Sequence, residues 1–311
     1  MVDKILVIKL GALGDFIYSF GAMAAIRLAH PQSHIVLLTT KPFVKMAEAS
    51  QYFDEIHMDT KPKFWNVAGW LCLRSWLNHQ KFSRVYDLQN NDRSSFYLRL
   101  MFPRPEWVGA ASGSSHRNLS PDRVKGHAFH GHVQTLKLVG IEDVQIDPLE
   151  WMTGNIAGYG LKSPYVVLVP GSSLQHPEKR WPVESYRALA GKLIRNGYHP
   201  VLLGSDAEAE TNEQIARGLD DVVNLTGKTT LFDLPALARG SVGAIGNDTG
   251  PMHIMCVTGI PSIVLFCSQK STIQKHGPQG AQAKAIEAFD LSDVSVSNVL
   301  DQFYKLISFI P

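Results

Sequence analysis

Lys4 to Asp15 reads KILVIKLGALGD, and this stretch decides the fold class. Lys4 to Leu10 is a short, mostly apolar run of strand length, and Gly11, Gly14 and Asp15 follow before an apolar stretch of helical character. Strand, glycine turn and helix in that order open a βαβ unit. The dinucleotide-binding fingerprint is incomplete, because it requires a third glycine and an acidic residue closing the next strand, whereas HIVLLTT ends in Thr39 and Thr40. A nicotinamide cofactor finds no ribose-binding carboxylate here, which counts against a redox enzyme. Asp15 stands at the mouth of the helix, where it either satisfies first-turn N–H groups or serves a reacting group.

Working outward, the first half repeats this rhythm in FIYSFGAMAAIRLA, HIVLLTT, FVKMAEAS, RVYDLQ and EWVGA. After the helix HVQTLKLVG comes DVQIDPLEWMTGNIAGYGLKSP, rich in Gly, Pro and polar residues, where a domain boundary is expected. The expected division is a Rossmann-like domain over 1–155, a second over 156–290, and a helix within 291–311 packing near the domain junction. The second half restarts the alternation, with YVVLVPGSS, HPVLLGS, DVVNLTG, VGAIGND and PSIVLFC as five strand-like runs between four helices. Such continuous apolar strands belong to parallel sheets covered on both faces. Two doubly wound α/β domains with strand ends turned to a shared cleft are the expected architecture.

The 311 residues, 45% hydrophobic and 19% charged, suit two globular domains, and a formal net charge of +2 calls for no nucleic acid. Cys72, Cys256 and Cys267 are odd in number and widely spaced, which fits neither a disulfide framework nor a zinc site and suggests a reducing, cytoplasmic setting. Lys9 and Asp15 interrupt the N-terminal apolar run, so it does not read as a secretory signal. The longest apolar stretch, IMCVTGIPSIVLFC, is broken by Thr-Gly-Ile-Pro, too short a run to span a bilayer.

Three stretches carry chemistry. In IGNDTGPMH, Ile245 to His253, a buried strand ending at Ala244 and Ile245 meets a helix beginning at Pro251, and Gly246 and Gly250 let the backbone approach a ligand. Such a helix start attracts phosphate, while Asp248 suits sugar hydroxyls beside it; an Asp in this place also caps any helix. In PGSSLQHPEKRWP, Gly171, Ser172 and Ser173 with Lys179 and Arg180 form an anion cradle, in which Lys179 faces the charge developing on a leaving diphosphate. A solvated basic loop reads the same way. GSDAE, Gly204 to Glu208, stands at a strand end where it either shapes a nucleotide pocket or makes a plain turn. GHAFHGH has three histidines without zinc spacing, and His132 is expected near a helix start on the cleft wall. Between Lys61 and Arg84, the cations Lys61, Lys63, Arg74, Lys81 and Arg84 interleave with Phe64, Trp65, Trp70 and Trp76, as on a surface-seeking amphipathic stretch or a plain packed helix.

Taken together, KLGALGD, KRWP and NDTGPMH before PSIVLF closely resemble glycosyltransferase family 9, the ADP-heptose lipopolysaccharide heptosyltransferases. The resemblance covers nearly the whole chain. It implies a GT-B fold with acceptor bound mainly by the first domain and nucleotide sugar by the second, and inverting transfer without metal or cofactor. Carried over, Asp15 resembles the general base, Lys179 the cation on the donor diphosphate, and Asp248 the sugar-hydroxyl acceptor, with Thr249, Gly250 and His253 completing that motif. Gly171, Ser172, Ser173 and Gly204 join them on the donor side. DLQNN, Asp87 to Asn91, is similar to the family's Asp-x-Gln-Gly strand end, with Asn90 in place of glycine. Acceptor-side candidates are Gly14, Lys61, Lys63, Arg74, Gln89, Asn90, Arg117 and His132. The expected partners are ADP-heptose and a lipid-linked oligosaccharide, with peripheral contact at the inner face of the inner membrane. Competing readings are another nucleotide sugar, a protein or other glycan acceptor, a nicotinamide oxidoreductase, and a non-catalytic binder of sugar nucleotide or lipopolysaccharide.

Overall fold

The computed structural model describes residues 3–173, 175–269 and 272–308, without the side chains of residues 122 and 124. The chain forms two compact units, Met1–Asp147 and Pro148–Pro311. Unit 1 runs β1 (Lys4–Ile8), α1 (Leu13–Ile17), α2 (Phe20–Ala29), β2 (His34–Thr39), α3 (Val44–Ser50), β3 (Glu55–Met58), α4 (Val67–His79), β4 (Arg84–Asp87), α5 (Asp92–Leu100), β5 (Glu106–Gly109), β6 (His116–Arg117), α6 (Asp122–Lys125) and α7 (Ala128–Lys137). Unit 2 runs β7 (Tyr165–Val169), α8 (Val183–Arg195), β8 (His199–Leu202), α9 (Ala209–Ala216), β9 (Val223–Asn224), α10 (Asp233–Gly240), β10 (Gly243–Asn247), α11 (Gly250–Val257), β11 (Ser262–Cys267), α12 (Ile273–His276), β12 (Ala283–Ala288) and α13 (Val296–Ile307).

Each unit holds a six-stranded sheet, ordered β3-β2-β1-β4-β5-β6 in the first and β12-β11-β10-β7-β8-β9 in the second. All pairings are parallel. The two orders are the same doubly wound topology read from opposite edges, so the order reverses between β1 and β4 in unit 1 and between β7 and β10 in unit 2. In open parallel sheets, ligands bind beyond the carboxyl ends of the strands at such a reversal.

The central strands are apolar throughout because helices cover both faces: β7, β10 and β11 are buried at every position. Leu6, Ile8, Val36, Leu38, Val85 and Trp107 anchor the core of unit 1. In unit 2, α8 turns Tyr186, Leu189, Ala190 and Leu193 inward at helical spacing against Val166, Leu168 and Ile245. Leu189 and Leu193 each contribute roughly 1.5–3 kcal/mol by burial. The helix expected within 291–311 is α13, which buries Val299, Leu300 and Phe303 in this same core; residues 309–311 lie outside the described residues. β10 extends two residues past Ile245, and Gly246 within it is required by close approach, since a Cβ there would lie 2.7 Å from Val169 Cβ and from Met252 Sδ.

Candidate active site

In unit 2 the two strands flanking the reversal deliver the sequence candidates to one place. β7 leads into Pro170, Gly171 and Ser172, and β10 into Asp248. The Asp248 carboxylate accepts from Lys179 Nζ at 2.7 Å through Oδ2, and its Oδ1 lies 3.3 Å from His253 Nε2. The Asp248 side chain is 5% exposed and that of Lys179 22%. Burial opposes ionisation of Asp248, but the hydrogen bonds and charges of His253 and Lys179 outweigh it and hold the carboxyl below the usual carboxylate range. Asp248 is therefore not the cap of α11. Thr249 occupies the cap position without a side-chain cap bond, and its Oγ1 is buried with no partner among the described residues. Gly250 and Pro251 open the helix, whose first-turn N–H groups have no intrahelical acceptor.

The Gly171–Arg180 loop is held by its own polar groups. Ser172 Oγ donates to the His176 carbonyl at 3.0 Å and accepts from Arg180 Nε at 3.1 Å, so this hydroxyl shapes the loop, while Ser173 is exposed. Gly171 and Gly204 both abut Glu208, whose Cγ and Cβ would lie 2.8 and 2.9 Å from a Cβ added at each glycine. The GSDAE stretch is thus a capping box, with Glu208 Oε2 accepting from Ser205 N–H and hydroxyl, set beside the β7 strand end.

Asn247 carries more of this site than sequence reading assigned to it. Fully buried, its Oδ1 accepts from Trp181 N–H at 3.2 Å and from the Tyr186 hydroxyl at 3.0 Å, while Nδ2 donates to the Pro170 carbonyl at 2.5 Å. One amide side chain ties the ends of β7 and β10 to the start of α8. Trp181, 2% exposed, completes the anchorage by donating Nε1–H to the Val294 carbonyl at 2.9 Å. The available signal was a polar residue at the last position of an otherwise apolar strand.

In unit 1 the corresponding reversal places the Leu10–Asp15 turn, from β1, beside the DLQNN turn, from β4. Leu10 N–H donates to Gln89 Oε1 at 2.7 Å, and the Leu10 carbonyl accepts from Lys61 Nζ at 3.1 Å and Thr40 Oγ1 at 3.2 Å. Gln89 and Lys61 thereby fix the backbone that leads into Asp15. Asp15 is the third residue of α1, half-buried, and Gly14 precedes it in the same turn. Gly11 adopts φ +126°, a conformation that favours glycine. Asn90 has φ +50°, which accounts for the family's glycine at this place and for Asn as its substitute; its Oδ1 accepts from Ala110 N–H at 2.9 Å.

Beneath these turns lies a buried ionisable group that the sequence did not disclose. Lys9, 3% exposed, has its ammonium lowered by burial, against the raising effect of the Asp15 and Asp87 charges. Asp87 is pushed up to about 6 by burial, although Asn90 N–H, Ser94 Oγ and Gln89 N–H all donate to it. His132 lies in the second turn of α7, 3% exposed, with Nε2 3.0 Å from the Leu88 carbonyl, so it supports the DLQNN turn from below. Burial, with the nearby Lys9 charge, drives its imidazole down to about 3. Among the described residues no three metal-ligating side chains are gathered. The other acceptor candidates are dispersed on the surface of unit 1: Arg117 donates Nε–H to Ala110 O from the edge strand β6, Lys63 lies over Trp65, and Arg74 is exposed on α4.

Two Rossmann-like units, each carrying its candidate groups at the point of strand reversal, define the class: GT-B. The family model described as Glycosyltransferase family 9 (heptosyltransferase) matches residues 142–298, just over half of the chain, and the chain belongs to that family. It is 35% identical over 108 residues to Lipooligosaccharide heptosyltransferase 2 of Haemophilus influenzae, a match covering 33% of this chain and 31% of that protein. The chain thus spans about a third of the length of that curated relative. A family 9 glycosyltransferase structure from Veillonella parvula superposes with a TM-score of 0.82 at 23% identity, covering 98% of this chain and 97% of that one. The Escherichia coli heptosyltransferase WaaC with ADP-2-deoxy-2-fluoro heptose superposes at 0.76 and 19% identity, covering 97% and 99%. These likenesses show the shared fold.

Proposed function

We propose that this protein transfers a heptose from an ADP-activated donor to a hydroxyl of a lipopolysaccharide inner-core acceptor, with inversion at the anomeric carbon. The observation that carries this reading is the Lys179–Asp248–His253 constellation at the strand reversal of unit 2 in a family 9 chain. Lys179 neutralises the donor diphosphate, together with the first-turn N–H groups of α11 and the Gly171–Ser173 turn. Asp248, acceptor-only when ionised, receives hydrogen bonds from the donor sugar's hydroxyls, and the buried Thr249 hydroxyl offers a further partner. The relative solved with an ADP-heptose analogue supports adenosine diphosphate as the leaving group.

On the acceptor side, Asp15 is the general base. The acceptor oxygen attacks the anomeric carbon as the bond from that carbon to the diphosphate oxygen breaks; the hydroxyl proton passes to the Asp15 carboxylate and ADP departs with the bonding pair. Gln89 and Lys61 hold the Leu10 backbone so that the turn bearing Asp15 keeps its geometry. General-base catalysis contributes typically about 10²–10⁴-fold, so Asp15→Ala lowers turnover by about that range and leaves ADP affinity unchanged. Calorimetry against a panel of nucleoside diphosphates, followed by NMR assignment of the product anomer, tests the reading. Indifference to ADP, or retention of configuration, would overturn it.

A further inference from the structure

Between Asp59 and Asp87 the chain has no acidic residue, yet it carries Lys61, Lys63, Arg74, Lys81 and Arg84. Two of these charges are engaged within the fold: Lys61 donates to the Leu10 carbonyl, and Arg84 pairs with Glu106. α4 turns Leu73 and Leu77 into the core of unit 1. Its other face, with the turn that leads into it, exposes four large apolar side chains within eight residues: Phe64 at 83%, Trp65 at 63%, Val67 at 66% and Leu71 at 57%.

This turn is ordered. Lys63 O accepts from Asn66 N–H at 2.8 Å and Trp70 Nε1–H at 3.1 Å, and Asn66 Oδ1 caps α4 by accepting from Gly69 N–H at 2.9 Å. The Phe64 and Trp65 rings meet edge to face at 4.6 Å, and Lys63 Nζ stands 5.2 Å from the Trp65 centroid. Soluble monomers seldom expose so much clustered apolar surface without a partner for it. Aromatic and aliphatic side chains flanked by cations, with no carboxylate in the surrounding 27 residues from 60 to 86, match a surface that is apolar below and anionic above.

We propose that Phe64 to Leu71 is a docking wedge for an anionic lipid bilayer. Phe64, Trp65, Val67 and Leu71 enter the boundary between headgroups and acyl chains, and Lys63 and Arg74 lie against the headgroups. Lys61, at the foot of the wedge, holds the turn that carries Asp15; given the function proposed above, docking brings that turn to the surface where a lipid-linked acceptor resides.

The test is flotation of the full chain with phosphatidylcholine vesicles, with and without about 30% phosphatidylglycerol, at low and high salt. The wild-type chain floats with the anionic vesicles, and each engaged cation adds about fivefold to binding at low salt. The exposed pairs Phe64→Ser with Trp65→Ser, and Val67→Ser with Leu71→Ser, each weaken flotation about tenfold or more while circular dichroism stays unchanged. Transfer to a short, water-soluble acceptor by these variants is unaltered, and since flotation is read without substrate, failure of the proposed reaction leaves the docking result standing. A wild-type chain that stays unbound, variants that float as the wild type does, or equal binding to neutral vesicles overturns the proposal. So does a wild-type dimer that these substitutions dissociate, for the wedge would then belong to a second copy.

Discussion

Asp248→Asn separates two effects of one carboxylate. Its Oδ2 holds Lys179 Nζ at 2.7 Å in a setting where the two side chains are 5% and 22% exposed. At an effective dielectric constant near 20, unit charges at this separation attract by about 6 kcal/mol before desolvation. Desolvation and the partial exposure of Lys179 reduce the net coupling to about 1–2 kcal/mol, between the values for exposed and fully buried pairs. A diphosphate that recruits Lys179 must forgo part of this coupling and also meets the negative charge of the carboxylate. Asparagine keeps the shape and removes both obstacles, so D248N binds ADP about 5–30-fold more tightly. Transfer nonetheless slows, about tenfold, because an amide oxygen accepts weaker hydrogen bonds from sugar hydroxyls than a carboxylate does. Lys179→Met acts oppositely on ADP, weakening it by about 10–150-fold through loss of a charge-assisted bond. In the double variant most of the D248N gain disappears, since it acts through the lysine. Titration calorimetry of the four proteins decides the matter: a D248N chain that binds ADP as poorly as K179M refutes the reasoning.

The His132 imidazole is held near 3 in the fold against 6.5 unfolded, so its contribution to stability is intact above about pH 6.5 and is lost as pH falls toward 3. Between pH 7 and 5 this amounts to about 2 kcal/mol, and Asp87, raised to about 6, works in the opposite direction, so the quantity to measure is the pH slope of wild type minus H132N, by urea unfolding read from exchange protection of β1 and β4. Equal slopes would exclude a buried neutral His132. Asn247→Ala strands the Trp181 N–H and the Pro170 carbonyl in the interior, while the Tyr186 hydroxyl keeps the Val169 carbonyl at 3.3 Å, and should cost unit 2 about 3–4 kcal/mol in the same urea measurement read from β7 and β10; a loss under about 1 kcal/mol would remove it as the tie between the strand ends. Asn90→Gly stays within about 1 kcal/mol of wild type because it relieves the positive φ while losing one bond, whereas Asn90→Ala loses the bond and keeps the strain, about 1–2 kcal/mol; thermal unfolding that ranks Ala above Gly contradicts this.

The strands at the sheet centres were legible because burial on both faces leaves unbroken apolar runs, as in KILVI, YVVLV and SIVLFC. Of the four edge strands, DVVNLTG announced β9, but β3, β6 and β12 were not legible, since a short or half-exposed edge has a pattern that merges with loop: β6 is two residues, and AKAIEA in β12 has a single buried position. Asp15, Lys179 and Asp248 could be singled out because small residues and a charge at a strand-to-helix junction form a local pattern. Whether Asp248 caps α11 was undecidable locally; the place of Thr249 at the cap and the bond from Lys179, 69 residues away, exclude that role.

Sequence by itself determined the doubly wound alternation, the junctions and the residue types placed at them, for these follow from hydrophobic period and backbone preference between near neighbours. Tertiary structure alone decided the strand order that makes those junctions reversal points, the bonding of Asn247 and Gln89 across strand ends, and the burial that raises Asp87 and keeps His132 neutral. The physical reason is that hydrogen bonding and desolvation depend on groups far apart in the chain, whose meeting no local pattern encodes.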